Sequence, residues 1–203
     1  MQRMDRLTAG GHSEQDVALA NSRATCRVAT LADAEPITAL AIQVFLDTYA
    51  TDGVRPDLAS EALSQYSREK FEQRLQDPGR TFVLATLGVG LLGFAEVLSE
   101  SLSSPIAGIQ GAELIRLYVQ PRWQGTGIGR KLINQAEVTG RQAGAGGLWL
   151  TVWENNTRAL GFYDRLGYSD VGHTSYTMQS QSFGNRVLHK ALGSPASAGP
   201  FEA

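Results

Sequence analysis

Apolar positions along this chain recur in two rhythms. The first is the short, near-continuous run that a buried strand leaves. Cys26-Arg27-Val28-Ala29, Thr81–Thr86, Leu91–Leu98, Leu114–Val119 and Leu148–Trp153 are of this kind. The second is helical. Ile37, Leu40, Ala41 and Phe45 fall at i, i+3, i+4 and i+8, while Ile128, Leu132 and Ala136 recur at spacing four with Ile133 beside them. Ala159, Phe162, Tyr163 and Leu166 repeat that pattern near the end. Ser60–Tyr66 and Ser67–Leu75 read as two short helices closed by Asp77-Pro78-Gly79. Thr30 or Asp33 can cap the first long helix, and Pro56 forbids its continuation. Gly88-Val89-Gly90 turns two strands into a hairpin. Residues 99–112 form a Ser/Gly-rich loop, and Tyr168 to about Met178 and Arg186–Leu192 add two late strands. Leu114–Val119 and Leu148–Trp153 are apolar on both faces, as central strands are. The order predicts an α/β (α+β) fold: a mixed sheet with helices on both faces.

Residues 1–23 are polar and without period, and 193–203 read the same way. Both are expected to be flexible tails around one folded domain spanning 24–192. Composition agrees with one core: 203 residues, 42% hydrophobic and 19% charged, with a net charge of -2. Nucleic-acid binding would want a basic face, so no such partner is expected. No apolar run is long enough to span a bilayer, and the N-terminus lacks the apolar core of a signal peptide, so cytoplasmic localisation is the expectation. The lone Cys26 excludes a disulfide framework, and His12, His173 and His189 are scattered, so no metal is expected. Cys26 itself reads as a buried strand residue.

The chemistry lies between Glu113 and Tyr168. A strand ends at Pro121 and is followed by Gln124-Gly125-Thr126-Gly127-Ile128-Gly129-Arg130-Lys131, where a helix begins. Glycines at a strand–helix turn let backbone amides approach an anion, with the positive end of the helix dipole behind them. The spacing is neither that of a Walker loop nor that of the dinucleotide Gly-x-Gly-x-x-Gly. It matches Gln/Arg-x-x-Gly-x-Gly through Gln124, Gly127 and Gly129. A second string follows the next strand: Asn156-x-x-Ala159-x-x-Phe162-Tyr163-x-x-x-Gly167-Tyr168.

Together and in this order the two strings resemble the signatures of the GCN5-related N-acetyltransferase (GNAT) family, over roughly Thr25 to Leu192. The resemblance implies a mostly antiparallel sheet of about six to seven strands with a splayed parallel pair in the middle. It implies acetyl-CoA as cosubstrate, with no metal. The amides of Gln124, Gly125, Thr126, Gly127, Ile128, Gly129 and Arg130 would cradle the pyrophosphate, with Arg130 and Lys131 adding positive charge. Backbone groups of Leu117, Tyr118 and Val119 would pair with the pantetheine arm, and Asn156 would bond it, unless it serves only as a helix N-cap. Tyr163 would be the general acid toward the departing thiolate, its bland alternative being a core tyrosine. Glu113 would be the base, through a water, or else a strand-end glutamate facing solvent, with Glu96 a further candidate. The resembled members that acetylate ribosomal-protein N-termini carry a glutamate where this chain has Thr151, which argues against that specificity.

The resemblance also places the acceptor site in the front half, with Asp47, Asp52, Asp57 and Glu61 available to attract a cation. The layout is most similar to spermine/spermidine-type or generic amine acetyltransferases of bacteria. The expected reaction is direct acetyl transfer, in a ternary complex, to a primary amine of a small polyamine-like molecule or a peptide; homodimers are frequent in the family. A non-catalytic acyl-CoA sensor on the same fold is the alternative. A dinucleotide oxidoreductase ranks last, because its only ribose-holding candidate is Glu154 and its glycine spacing does not fit.

Overall fold

The computed structural model describes residues 22–99, 104–178 and 181–193. The tails expected at 1–23 and 193–203 lie almost wholly outside the described residues.

Seven strands form one sheet. They are β1 (Thr25–Val28), β2 (Arg80–Leu87), β3 (Gly90–Leu98), β4 (Ala112–Val119), β5 (Gly147–Trp153), β6 (Ser169–Met178) and β7 (Gln181–Ala191), in the order β1-β2-β3-β4-β5-β7-β6. Every neighbouring pair is antiparallel except β4 and β5, which run parallel. Parallel neighbours need a crossover, and here it is α4 (Ile128–Gln142). The remaining helices are α1 (Ala34–Tyr49), α2 (Pro56–Gln65), α3 (Arg68–Leu75) and α5 (Thr157–Asp164). The mixed sheet and the splayed parallel pair are as the pattern and the resemblance implied.

The two faces carry separate cores. Ile128, Leu132, Ile133 and Ala136 of α4 pack with Ala85, Leu92, Leu114, Leu148, Leu150 and Tyr163 on one face. Ile37, Ala41 and Phe45 of α1 pack with Leu58, Phe71, Phe82, Phe94 and Tyr66 on the other. Alternation along the strands sends successive side chains to opposite cores.

Three boundaries differ from those read in the sequence. α2 begins at Pro56 rather than Ser60, because proline at the first helical turn gives up only an amide that has no partner there. β4 starts at Ala112, and β7 starts at Gln181 rather than Arg186, drawn out by its long pairing with β6.

The central feature is a failure of pairing. β4 and β5 are in register only at Ala112↔Leu148 and Glu113↔Trp149. Beyond that they separate, and the β5-facing edge of Leu114–Val119 has no ladder. Two local features produce the shape. At the closed end Gly111, at φ +139, lies so close to β5 that an added Cβ would stand 2.1 Å from the Gly147 carbonyl oxygen. Just beyond, the β3–β4 register jumps from Val97↔Leu114 to Glu96↔Arg116, leaving Ile115 as the extra residue of a bulge. A bulge bends its strand and sharpens its twist, which turns Arg116–Val119 away from β5. Gly111→Ala combines a strained φ with a backbone clash at the closed end. It is expected to lower stability by about 2–3 kcal/mol, read as a shift of the urea midpoint with an unchanged slope.

Candidate active site

The loop after β4 closes the open end of this gap. A single 3₁₀ turn, Pro121–Trp123, drops Trp123 into the core, and the Thr126 hydroxyl donates to the Trp123 carbonyl at 2.6 Å. Gly125 (φ +80) and Gly127 (φ +96) take left-handed conformations, and Gly127 is the N-cap of α4. Gly129 has another reason. A Cβ there would sit 3.4 Å from Cζ of Phe162, so the glycine lets α4 approach α5. Ile128 is fully buried and anchors the first turn. Arg130 is exposed in that turn. Lys131, expected to add charge to the cradle, instead sends its ammonium to the Ala24 carbonyl at 2.9 Å and ties α4 to the start of β1.

A cleft of about 490 Å³ lies at this open end. It is lined by Pro121 and Gln124 of the loop, Trp153, Asn155, Asn156 and Arg158 around the start of α5, and Asp47 and Thr48 of α1. Of the acidic residues offered as acceptor contacts, Asp47 reaches this cleft, while Asp57 is held by Arg55 at 2.9 Å. The Gln124 side chain donates from Nε2 to the Val119 carbonyl at 3.1 Å and accepts from Arg158 at 2.5 Å. Arg158 was not singled out from the sequence. Its only signal there was a cation opening the helix after Asn156.

Asn156 caps α5, its side chain accepting from the Ala159 amide at 3.1 Å, and it lines the cleft as well. The capping role therefore holds, and the cleft position leaves room for the other. Tyr163 lies two turns further on, in the core cluster with Val119 and Ile128. Its ring meets Phe162 at 5.1 Å and Tyr168 at 5.5 Å. Burial pushes its phenol well above the ordinary value, so it stays protonated at neutral pH.

The candidate bases are placed differently. Glu113 is half-buried at the closed end, six residues from Val119 and so about 20 Å along the strand from the glycine loop. It does not line the cleft. Glu96 is fully buried, with Oε1 accepting from Arg80 at 2.7 Å and Oε2 from Arg116. Both oxygens are taken by guanidiniums, so Glu96 is a counter-ion rather than a free base. Arg116 also lies over the Tyr66 ring at 5.6 Å, and the Tyr66 and Tyr118 hydroxyls meet at 3.2 Å. Tyr118 is thus held on the α1 face of the sheet while its backbone borders the gap, and burial drives its phenol up.

Cys26 is half-buried on β1, and burial pushes its thiol up against the downward pull of Lys131, so no ready thiolate is present. Among the described residues, no group of His, Cys, Asp and Glu is placed to hold a metal, and no helix is long and apolar enough to cross a membrane.

A parallel pair opened at its carboxyl end, with a glycine turn and helix N-terminus at the mouth, defines a class of cofactor-binding transferase. Residues 47–168 match the model of the Acetyltransferase (GNAT) family. The chain belongs to that family, whose activity is N-acetyl transfer from acetyl-CoA. An uncharacterised N-acetyltransferase of Lactobacillus delbrueckii subsp. lactis is 25% identical over 160 residues, covering 79% of this chain and 92% of that one. A streptothricin acetyltransferase of Streptomyces lavendulae is 35% identical over 117 residues, 57% of this chain and 59% of that one. The crystal structure of a PaiA N-acetyltransferase from Thermoplasma acidophilum in complex with coenzyme A superposes with TM-score 0.66 at 24% identity, covering 83% of this chain and 98% of that one.

Glu96→Ala removes the buried carboxylate that two partly buried guanidiniums share. The expected loss is about 3–5 kcal/mol of unfolding free energy, measured by chemical denaturation.

Proposed function

We propose that this enzyme acetylates a primary amine of a small, polyamine-like molecule, or a peptide amine, by direct attack in a ternary complex. The observation that supports this best is the gap between β4 and β5, which has unpaired backbone along one side and the glycine loop at its mouth. Unpaired strand edges accept extended amide-bearing chains, and the pantetheine arm is one.

Acetyl-CoA supplies the activated acyl group as a thioester. The amides of Gly125, Thr126, Gly127, Ile128, Gly129 and Arg130 take the pyrophosphate, that of Gln124 being spent on the Pro121 carbonyl at 3.1 Å, and the backbone of Leu117, Tyr118 and Val119, with Asn156, takes the arm. An amide of β4 polarises the thioester carbonyl as charge builds on its oxygen. The amine nitrogen bonds to the acyl carbon, the carbon–sulfur bond breaks, and the electron pair leaves with sulfur. Tyr163 gives its proton to that thiolate and is reprotonated by the second proton that the new amide nitrogen sheds. The first ammonium proton leaves along a chain of waters in the gap toward Glu113, the carboxylate at its closed end. Asp47 supplies negative charge on the cleft wall for a cationic acceptor.

Coenzyme A release, followed with a thiol reagent over a panel of polyamines, amino sugars, amino acids and short peptides, tests the reading. Saturable turnover with one amine class is the expected result. No release with any amine, together with no rise in melting temperature on adding acetyl-CoA, would sink it. A thermal shift without turnover would favour the sensor alternative. Tyr163→Phe is expected to lower kcat by about a hundredfold while the affinity for coenzyme A is kept. Because burial raises the Tyr163 phenol, an activity loss at mildly alkaline pH should not follow from its ionisation; unchanged alkaline limbs in the wild type and in Tyr163→Phe would agree.

A further inference from the structure

The first turn of α5 carries a cation in an unfavourable place. Arg158 is the second residue of the helix, where its charge opposes the dipole. No carboxylate lies within ion-pair distance of it among the described residues. Its one hydrogen bond goes to a neutral amide, Oε1 of Gln124, at 2.5 Å. The same guanidinium overhangs the glycine loop: its Nη2 stands 4.0 Å from where a Gly125 Cβ would be. Gln124 in turn holds the Val119 carbonyl at 3.1 Å. Val119, Gln124 and Arg158 therefore form a bridge across the open end of the β4–β5 gap, from the last residue of one strand to the helix that follows the other.

We propose that Arg158 binds the diphosphate of the acyl donor from the β5 side of the gap, and that Gln124 holds its guanidinium in position for that ligand. This rests on the donor assigned above. The glycine loop brings backbone amides to the anion from the β4 side. Of the two cations the sequence offered there, Lys131 is turned to Ala24. Arg158 supplies the missing charge from across the gap. A planar guanidinium bonded to a single neutral oxygen keeps most of its five N–H donors for an anion, and it pairs with phosphate oxygens two at a time. Exchanging the Gln124 oxygen for a diphosphate replaces a neutral acceptor with a charged one. It also relieves the opposition between Arg158 and the dipole of α5. The bridge thus sets the width of the opening before the donor enters, and the donor inherits its guanidinium.

Arg158→Gln tests the assignment by titration calorimetry with three probes: coenzyme A, 3′-dephospho-coenzyme A and S-acetylpantetheine, which has the arm and the acetyl group but no phosphate. A charge-assisted contact is expected to cost about tenfold in affinity when lost. That loss should appear for coenzyme A and equally for the dephospho form, should be absent for S-acetylpantetheine, and should be partly restored in Arg158→Lys. An equal loss for S-acetylpantetheine would mean that the residue merely shapes the opening and would overturn the proposal. So would a loss confined to coenzyme A, which would assign Arg158 to the 3′-phosphate. An Arg158→Gln protein that binds all three probes like the wild type would show a solvated helix-start arginine and would overturn it as well. Failure of the wild type to bind any probe would instead bring down the donor assignment itself.

Discussion

Two neighbouring strands that stop pairing after two residues leave the facing backbone edges of the pair without a ladder. Backbone groups on such edges cost free energy where they are buried unless something satisfies them. Every other part of this molecule bears on that gap. Glycines at 111 and 147 bring β4 and β5 together at one end, and the bulge at Ile115 drives them apart toward the other. The crossover helix α4 starts at the mouth because a parallel pair must be joined by a long connection, and that connection leaves from the carboxyl end of β4. An anion-binding helix N-terminus and an open strand edge are therefore produced by the same topology.

The two cores keep the gap open in different ways. On one face α4 and α5 approach closely enough that Gly129 meets Phe162, which holds Tyr163 in a dry setting. On the other, an aromatic cluster runs from Phe45 through Tyr66 to Tyr118, over the buried Glu96 with its two guanidiniums. Glu96 and Arg116 face each other across β3 and β4 just past the bulge. An ion pair at that point, together with the stacking of Arg116 on Tyr66, fixes the bent part of β4 without using its β5-facing edge. The strand can then be rigid and unpaired at once, which is what a ready-made docking edge requires.

Roles that looked alike in one dimension came apart in three. Arg130 and Lys131 are adjacent in a cationic run, yet helix geometry points neighbours about 100° apart; Lys131 ends on β1 and Arg130 stays exposed. Glu96 and Glu113 were both candidate bases, and only burial and partners separate them, one clamped by arginines and the other half-buried at the closed end of the gap. Asn156 was legible both as a cap and as a cleft residue because both depend on one local turn. Arg158 was invisible, since its meaning comes from Gln124, 34 residues earlier in the chain.

What the sequence determined by itself were the features that neighbours along the chain decide. These were the alternation of strand and helix, the hairpin at Gly88–Gly90, the positive-φ glycines before α4, the cap of α5, and the two motif strings by which the family could be recognised. Local sterics and hydrophobic period govern all of them. The tertiary structure alone decided where β4 parts from β5, which carboxylates are spent on structure, and which cation overhangs the glycine loop. Each of these depends on residues far apart in sequence meeting across a sheet. Burial then settles whether a charge is clamped by partners or left open to a ligand.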